Sequence, residues 1–150
     1  MRSPARILHL FGHYLPKTQI WAFQLLDHLP DAELIVGSKS FLASGYYLDR
    51  IRYVRFFMTQ FDNPRKRIRL KLANRVIAAA QSLYPVYLRK TVGHCDVIHS
   101  HFAPYGWEYR KMARKMNTPH VVSFYGFDYQ SLPFTKPVWK QRYRELFTTA

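Results

Sequence analysis

From Asp96 to Asp128 the chain twice repeats one arrangement. An apolar run stops at a polar turn containing glycine, first in DVIHSHFAPYG and then in TPHVVSFYGFD. Between them Trp107 to Asn117, WEYRKMARKMN, carries the mixed apolar and basic spacing of an amphipathic helix. This is the pattern of a β-α-β unit, two parallel strands joined by a crossover helix. In open α/β sheets ligands bind beyond the carboxyl ends of the strands. His101 and the segment Tyr125 to Asp128 occupy those two ends.

The rest of the chain extends the same alternation. Ala5 to Phe11 reads as a buried strand, and Gly12 to Lys17 as a turn. Thr18 is placed to cap a helix over Gln19 to Leu29, with Trp21, Leu25 and Leu29 at helical spacing and Pro30 ending it. Leu34 to Val36 predicts a short strand closed by Gly37, Ser38 to Asp49 a loop, and Ile51 to Phe57 a strand with one polar side. In Arg65 to Leu83 the opening RIRLKL alternates like a strand. Ile68, Leu72, Val76, Ala79 and Leu83 nevertheless share one helical face, so the segment reads as a helix, broken at Pro85. Then follow a strand at Asp96 to Ser100, a helix at Tyr105 to Asn117 and a strand at His120 to Phe124. A polar, aromatic loop at Tyr125 to Pro137 and a helix at Val138 to Phe147 complete the series. The predicted class is α/β, a Rossmann-like parallel sheet with helices on both faces. The helical pattern runs almost to Ala150, so the domain is expected to be truncated there.

Composition adds one anomaly. The 150 residues are one domain's worth and are 48% hydrophobic, enough for a core, but the formal charge is +14. A fold does not require that charge; it speaks of phosphates, nucleic acid or an anionic membrane. It is densest from Arg50 to Arg75, where nine basic residues face one acid, Asp62. Arg65, Lys66, Arg67, Arg69, Lys71 and Arg75 form the candidate anion or membrane patch, with Arg67, Lys71 and Arg75 aligned on one helix face. Cys95 is the single cysteine, so no internal disulfide forms. The first apolar run, Ile7 to Phe11, is too short for a signal peptide, and no segment is apolar enough to span a bilayer. A cytoplasmic protein that touches the inner membrane face is expected.

Several chemistries are disfavoured. The turn at Gly12 is not G-x-G-x-x-G, and there is no Walker A loop, G-x-S-x-G elbow or H-E-x-x-H. Strand alternation puts His99 and His101 on one side. Zinc takes three or four converging ligands, and His94 and Cys95 lie toward the strand's other end, so no metal is expected. His101, last in its strand, reads as a hydrogen-bonding imidazole facing the cleft. Gly12 and His13 would approach a ligand at the first turn, Gly126 would permit a sharp turn, and Asp128 would accept hydrogen bonds from hydroxyls or cap the turn.

RILHLFGHYLPKTQIWAFQLLDHL, DVIHSHFAPYG and TPHVVSFYGFD together resemble the amino-terminal half of GT-B glycosyltransferases, closest to the family 4 type that builds bacterial surface polysaccharides and glycolipids. The resemblance implies that residues 1–150 are the acceptor-side domain and that a carboxyl-terminal domain binds the nucleotide-sugar donor. It implies transfer with retention to a saccharide or lipid-linked acceptor, with no cofactor and no metal, on an anionic membrane surface; no nucleic acid is expected. His101 and Asp128 would be catalytic, and Gly12, His13, Tyr125 and Gly126 would face donor or acceptor. Where many relatives carry histidine in an H-G-x-D turn, this chain has Tyr125, which does not titrate near neutrality. The E-x7-E donor motif is absent, so residues 1–150 alone are expected to be inactive. The alternative is a non-enzymatic basic module that binds anionic membrane or nucleic acid through residues 50–75.

Overall fold

The computed structural model describes residues 3–14, 19–42, 45–55 and 86–148. Five strands form one sheet: β1 (Arg6–Tyr14), β2 (Glu33–Phe41), β3 (Arg52–Arg55), β4 (Val97–His101) and β5 (His120–Ser123). Their order is β3-β2-β1-β4-β5 and every pairing is parallel. This is the Rossmann-like α/β sheet predicted from the alternation of elements. The chain runs outward from β1 through β2 to β3, then returns to the other side of β1 as β4. The topological switch point therefore lies between β1 and β4.

Helices cover both faces. On one face α1 (Ile20–Asp27) buries Ala22 and Leu26 against Phe11, Tyr14, Leu34, Val36 and Ile51. On the other, α2 (86–92) and α3 (Ala103–Met116) bury Leu88, Val92, Tyr109, Met112, Ala113 and Met116 against Leu8, Leu10 and Ile98. The alternation along β1 decides this split: Leu8 and Leu10 point to one layer, Phe11 and the buried His9 to the other. The carboxyl-terminal helices are α4 (Gly126–Gln130), α5 (Leu132–Thr135) and α6 (Val138–Phe147). They close a smaller cluster of Leu132 and Trp139 with Ala103 of α3.

α3 shows why these residues make this element. Pro104 stands in its first turn, where the missing N–H costs nothing. Arg114 and Lys115 sit in its last turn, opposite the negative end of the dipole, and Asn117 terminates it at φ 51°, a left-handed cap. Gly106 lets it lie against β5: a Cβ there would come within 2.5 Å of Val122 Cγ1.

The expected boundaries shift in informative ways. β1 does not turn at Gly12, nor does β2 close at Gly37; both continue as partners, with His13 paired to Ser40 and Tyr14 to Phe41. Pairing overrides the local preference of glycine for turns. The inner face of α1 is Ala22 and Leu26, while Leu25 is exposed and Trp21 and Leu29 are only partly covered. The helix ends at Asp27, before Pro30, where Arg50 donates to the carbonyls of Leu26, Asp27 and Leu29 at 2.9, 2.9 and 3.2 Å. Arg50 is thereby a cap and not a free member of the basic run. The expected loop from Tyr125 to Pro137 is instead α4 and α5. α6 spans Val138–Phe147 as predicted. The Thr18 cap, Pro85, Phe56 and Phe57, and the Arg65 to Leu83 helix with its basic patch lie outside the described residues.

Replacement of Gly106 by Ala forces α3 away from β5. The expected loss is about 1–3 kcal/mol of stability, measured as a lower urea midpoint at unchanged slope.

Candidate functional site

The carboxyl ends of β1 and β4 converge on a pocket of about 120 Å³ lined by Phe11, Gly12, His13, Gln19, Leu42, Phe102 and Tyr105. Gly12 and His13, expected at the ligand side of the first loop, line it from within β1. A Cβ at Gly12 would overlap the Tyr105 ring, so the close approach glycine permits is made by this tyrosine from α3. Lys39 holds Glu108 at 3.1 Å and lies over the Tyr105 ring, tying the end of β2 to α3. The exposed His13 directs Nδ1 to Ser40 Oγ at 2.6 Å.

Phe102 makes the turn from β4 into α3 at φ 74°, a conformation that L side chains rarely adopt. Holding a bulky residue there costs about 1–3 kcal/mol. Its N–H donates to Ser123 O at 2.9 Å and its carbonyl accepts from Gly106 N at 3.0 Å, so the strained backbone is held from both sides. This left-handed turn has no local signature in F-A-P.

Beside the pocket lies a buried polar line. His101 Nδ1 is 2.7 Å from the Tyr125 hydroxyl, and His101 Nε2 is 3.0 Å from His9 Nδ1. His101 is stacked on Phe11 at 4.1 Å and has Trp21 at 5.9 Å. Trp21 and Phe102 also pack on Tyr125, at 4.4 and 4.6 Å. Thus His101 does not face an open cleft as expected: it is 0% exposed, with both ring nitrogens engaged. The half-buried Tyr125 is the outer end of the line. His9 was missed by sequence reasoning. A histidine inside an apolar strand carries no sign of which strand it will lie beside.

Asp128 is buried at the start of α4, where its carboxylate accepts the Tyr125 N–H at 2.9 Å while its own N–H donates to Tyr125 O at 2.8 Å. This is the capping alternative, with the aspartate in the place a capping-box glutamate takes. Tyr143 hydroxyl donates to the Asp128 carbonyl from α6. Gly126 opens α4 with no positive φ, so no glycine-only turn is made there. His101 and the Tyr125 to Asp128 segment do converge, as the strand order required.

Burial governs the ionisation of these groups. It pushes His9 down to about 3 and His101 well below the ordinary histidine value, with repulsion from the neighbouring imidazoles adding to both. His99 is lowered by burial as well. All three are neutral at physiological pH. The Tyr125 phenol is pushed up by burial and then by Asp128, while Ser123 pulls it back, so it keeps its proton. Asp128 is raised by burial, against the N–H groups of Tyr125 and Ala103. The arrangement presents a neutral phenol whose orientation is set by an imidazole and whose main chain is fixed by a carboxylate.

No family model matches this chain, and no curated protein matches it significantly.

His120 provides a measure of this burial. It faces the α3 layer, bonded to Ser100 Oγ at 2.8 Å, and burial lowers it to about 4. The unfolded chain takes up this proton near pH 6.5, the folded chain only near pH 4. Between those values the unfolded state binds more protons, so stability falls as pH falls. At pH 5 this one group is expected to cost about 2 kcal/mol relative to pH 7.5. Urea titrations across that range, compared with His120→Gln, should show the variant losing correspondingly less.

Proposed function

We propose that this domain is the acceptor-side half of a retaining GT-B glycosyltransferase, working with a second Rossmann-like domain that binds the nucleotide-sugar. The observation that carries this reading is the junction of His101 with Tyr125 at the carboxyl ends of β4 and β5, beside a pocket at the β1–β4 switch point. A parallel α/β sheet offers ligands that edge. A pocket of this size holds one group of a substrate, and the neighbouring aromatic surface suits the apolar face of a sugar ring.

Catalysis on this side is positional and electrostatic. Tyr125 is the group that meets a hydroxyl of the acceptor or the transferred sugar; His101 and Asp128 are positioning residues that act through it. Two proton arrangements satisfy the line. Tyr125 can donate to His101 Nδ1 and leave its oxygen as an acceptor. Alternatively His101 Nδ1–H donates to the phenolic oxygen, and the phenol proton points at the substrate. Either orients a substrate hydroxyl beside the transferred sugar without charging a buried imidazole. Gly12 and His13 at the pocket suit the donor diphosphate side.

Lipid-linked acceptors fit the +14 charge, which draws the protein to an anionic surface. Among the described residues no helix is long and apolar enough to cross a membrane.

The test is a panel of nucleotide-sugars with the protein expressed from its whole reading frame, product anomers being assigned by NMR. Transfer with retained configuration is expected. Tyr125→Phe should keep the fold and lower turnover by about 10²-fold, the scale of one lost transition-state hydrogen bond. No transfer from any donor, together with salt-dependent duplex DNA binding, would replace this reading by that of a basic binding module.

A further inference from the structure

One buried cluster shares only His101 with that reading. Parallel pairing sets His9 of β1 beside His99 of β4. Alternation brings His101 to the same face, with its ring centroid 4.2 Å from that of His99 and 5.3 Å from that of His9. Each of the three imidazoles offers one nitrogen, and these atoms all lie within 4.8 Å of one another. The two strand histidines alone fall short of a metal site; the third comes from a strand ninety residues away in sequence.

The nitrogens are already sorted. His101 turns Nδ1 to the Tyr125 hydroxyl, which leaves Nε2 for the cluster. His99 turns Nε2 to Ser123 Oγ at 2.8 Å, which leaves Nδ1. Metal-bound imidazoles have their far nitrogen held in this way by an outer hydrogen-bond partner, which fixes the tautomer and the ring orientation. His9 presents Nδ1 to the cluster, 3.0 Å from His101 Nε2, and its far Nε2 is buried with no hydrogen-bond partner among the described residues. A plain His9–His101 hydrogen bond does not explain the approach of His99, whose ring centroid lies 5.1 Å from that of His9.

We propose that His9, His99 and His101 form a binding site for one borderline divalent ion of the zinc class. Two imidazole nitrogens on one zinc at about 2.0–2.1 Å and tetrahedral angles stand about 3.3 Å apart. The His9 Nδ1 and His101 Nε2 atoms, at 3.0 Å, need to open by only about 0.3 Å. An all-imidazole set selects zinc-like ions over magnesium or calcium, which take oxygen ligands. His99 is the half-buried member of the three, the other two being buried. Three protein ligands leave a position for water. The site lies beneath the Tyr125 rim and stands or falls independently of the transferase reading.

The test is equilibrium dialysis of chelator-treated protein against zinc chloride, with the visible spectrum of the cobalt(II) form as a geometric probe. One ion per chain and a four-coordinate cobalt spectrum are expected. His99→Ala should abolish binding. Ser123→Ala, which removes the outer partner of His99 and leaves all three imidazoles in place, should weaken it by about 10–100-fold, so the proposal stays testable if the first variant fails to fold. His94→Ala, a surface control, should leave binding unchanged. A folded wild-type protein that binds no zinc would overturn the proposal, as would binding that survives both the His99 and Ser123 substitutions or is lost with His94.

Discussion

The parallel pairing of β1 with β4 is the constraint on which the rest of this structure depends. Residues Ile7 to Leu10 lie in register with Val97 to Ser100. That one ladder makes β1 the middle strand, places the switch point between β1 and β4, and sets the pocket at their carboxyl ends. It also sets His9 beside His99. Without it the histidines would belong to separate segments, and Tyr105 would have no glycine to lie across.

The second organising fact is that polar groups enter a core which cannot tolerate their charge. Four histidines of the sheet, His9, His99, His101 and His120, are buried or half-buried, and burial lowers the proton affinity of each. They persist as neutral rings because most of their nitrogens find partners: Ser100 for His120, Ser123 for His99, Tyr125 and His9 for His101. Neutral imidazoles in a dry setting orient hydroxyl groups and bind metals well, and they exchange protons poorly. The same physics that makes them costly in acid suits them to positioning.

Strain is concentrated at the same rim. Phe102 holds a left-handed backbone where β4 passes into α3, and its ring lines the pocket while packing on Tyr125. Asp128 fixes the neighbouring turn from inside α4. The two turns that carry the rim are thus pinned by buried contacts, which is the condition for a site that positions its ligand without reorganising.

The sequence by itself determined the kind and order of the elements. Alternation in DVIHSH and HVVS specified strands and put His99 and His101 on one face, and helical spacing specified α3 and α6. These are properties of a local period, which any short window of the chain contains. Only the tertiary structure decided which strand neighbours which, and so brought His9 to the pair. It likewise carried β1 through Gly12, since a paired strand outweighs a turn preference. It chose Ala22 and Leu26 as the inner face of α1, turned Tyr125 to Pro137 into helices packed on α3, and enclosed His101 and Asp128. Each of these outcomes rests on contacts between segments far apart in the chain. A hydrophobic period states which side of an element is buried, but not what it is buried against.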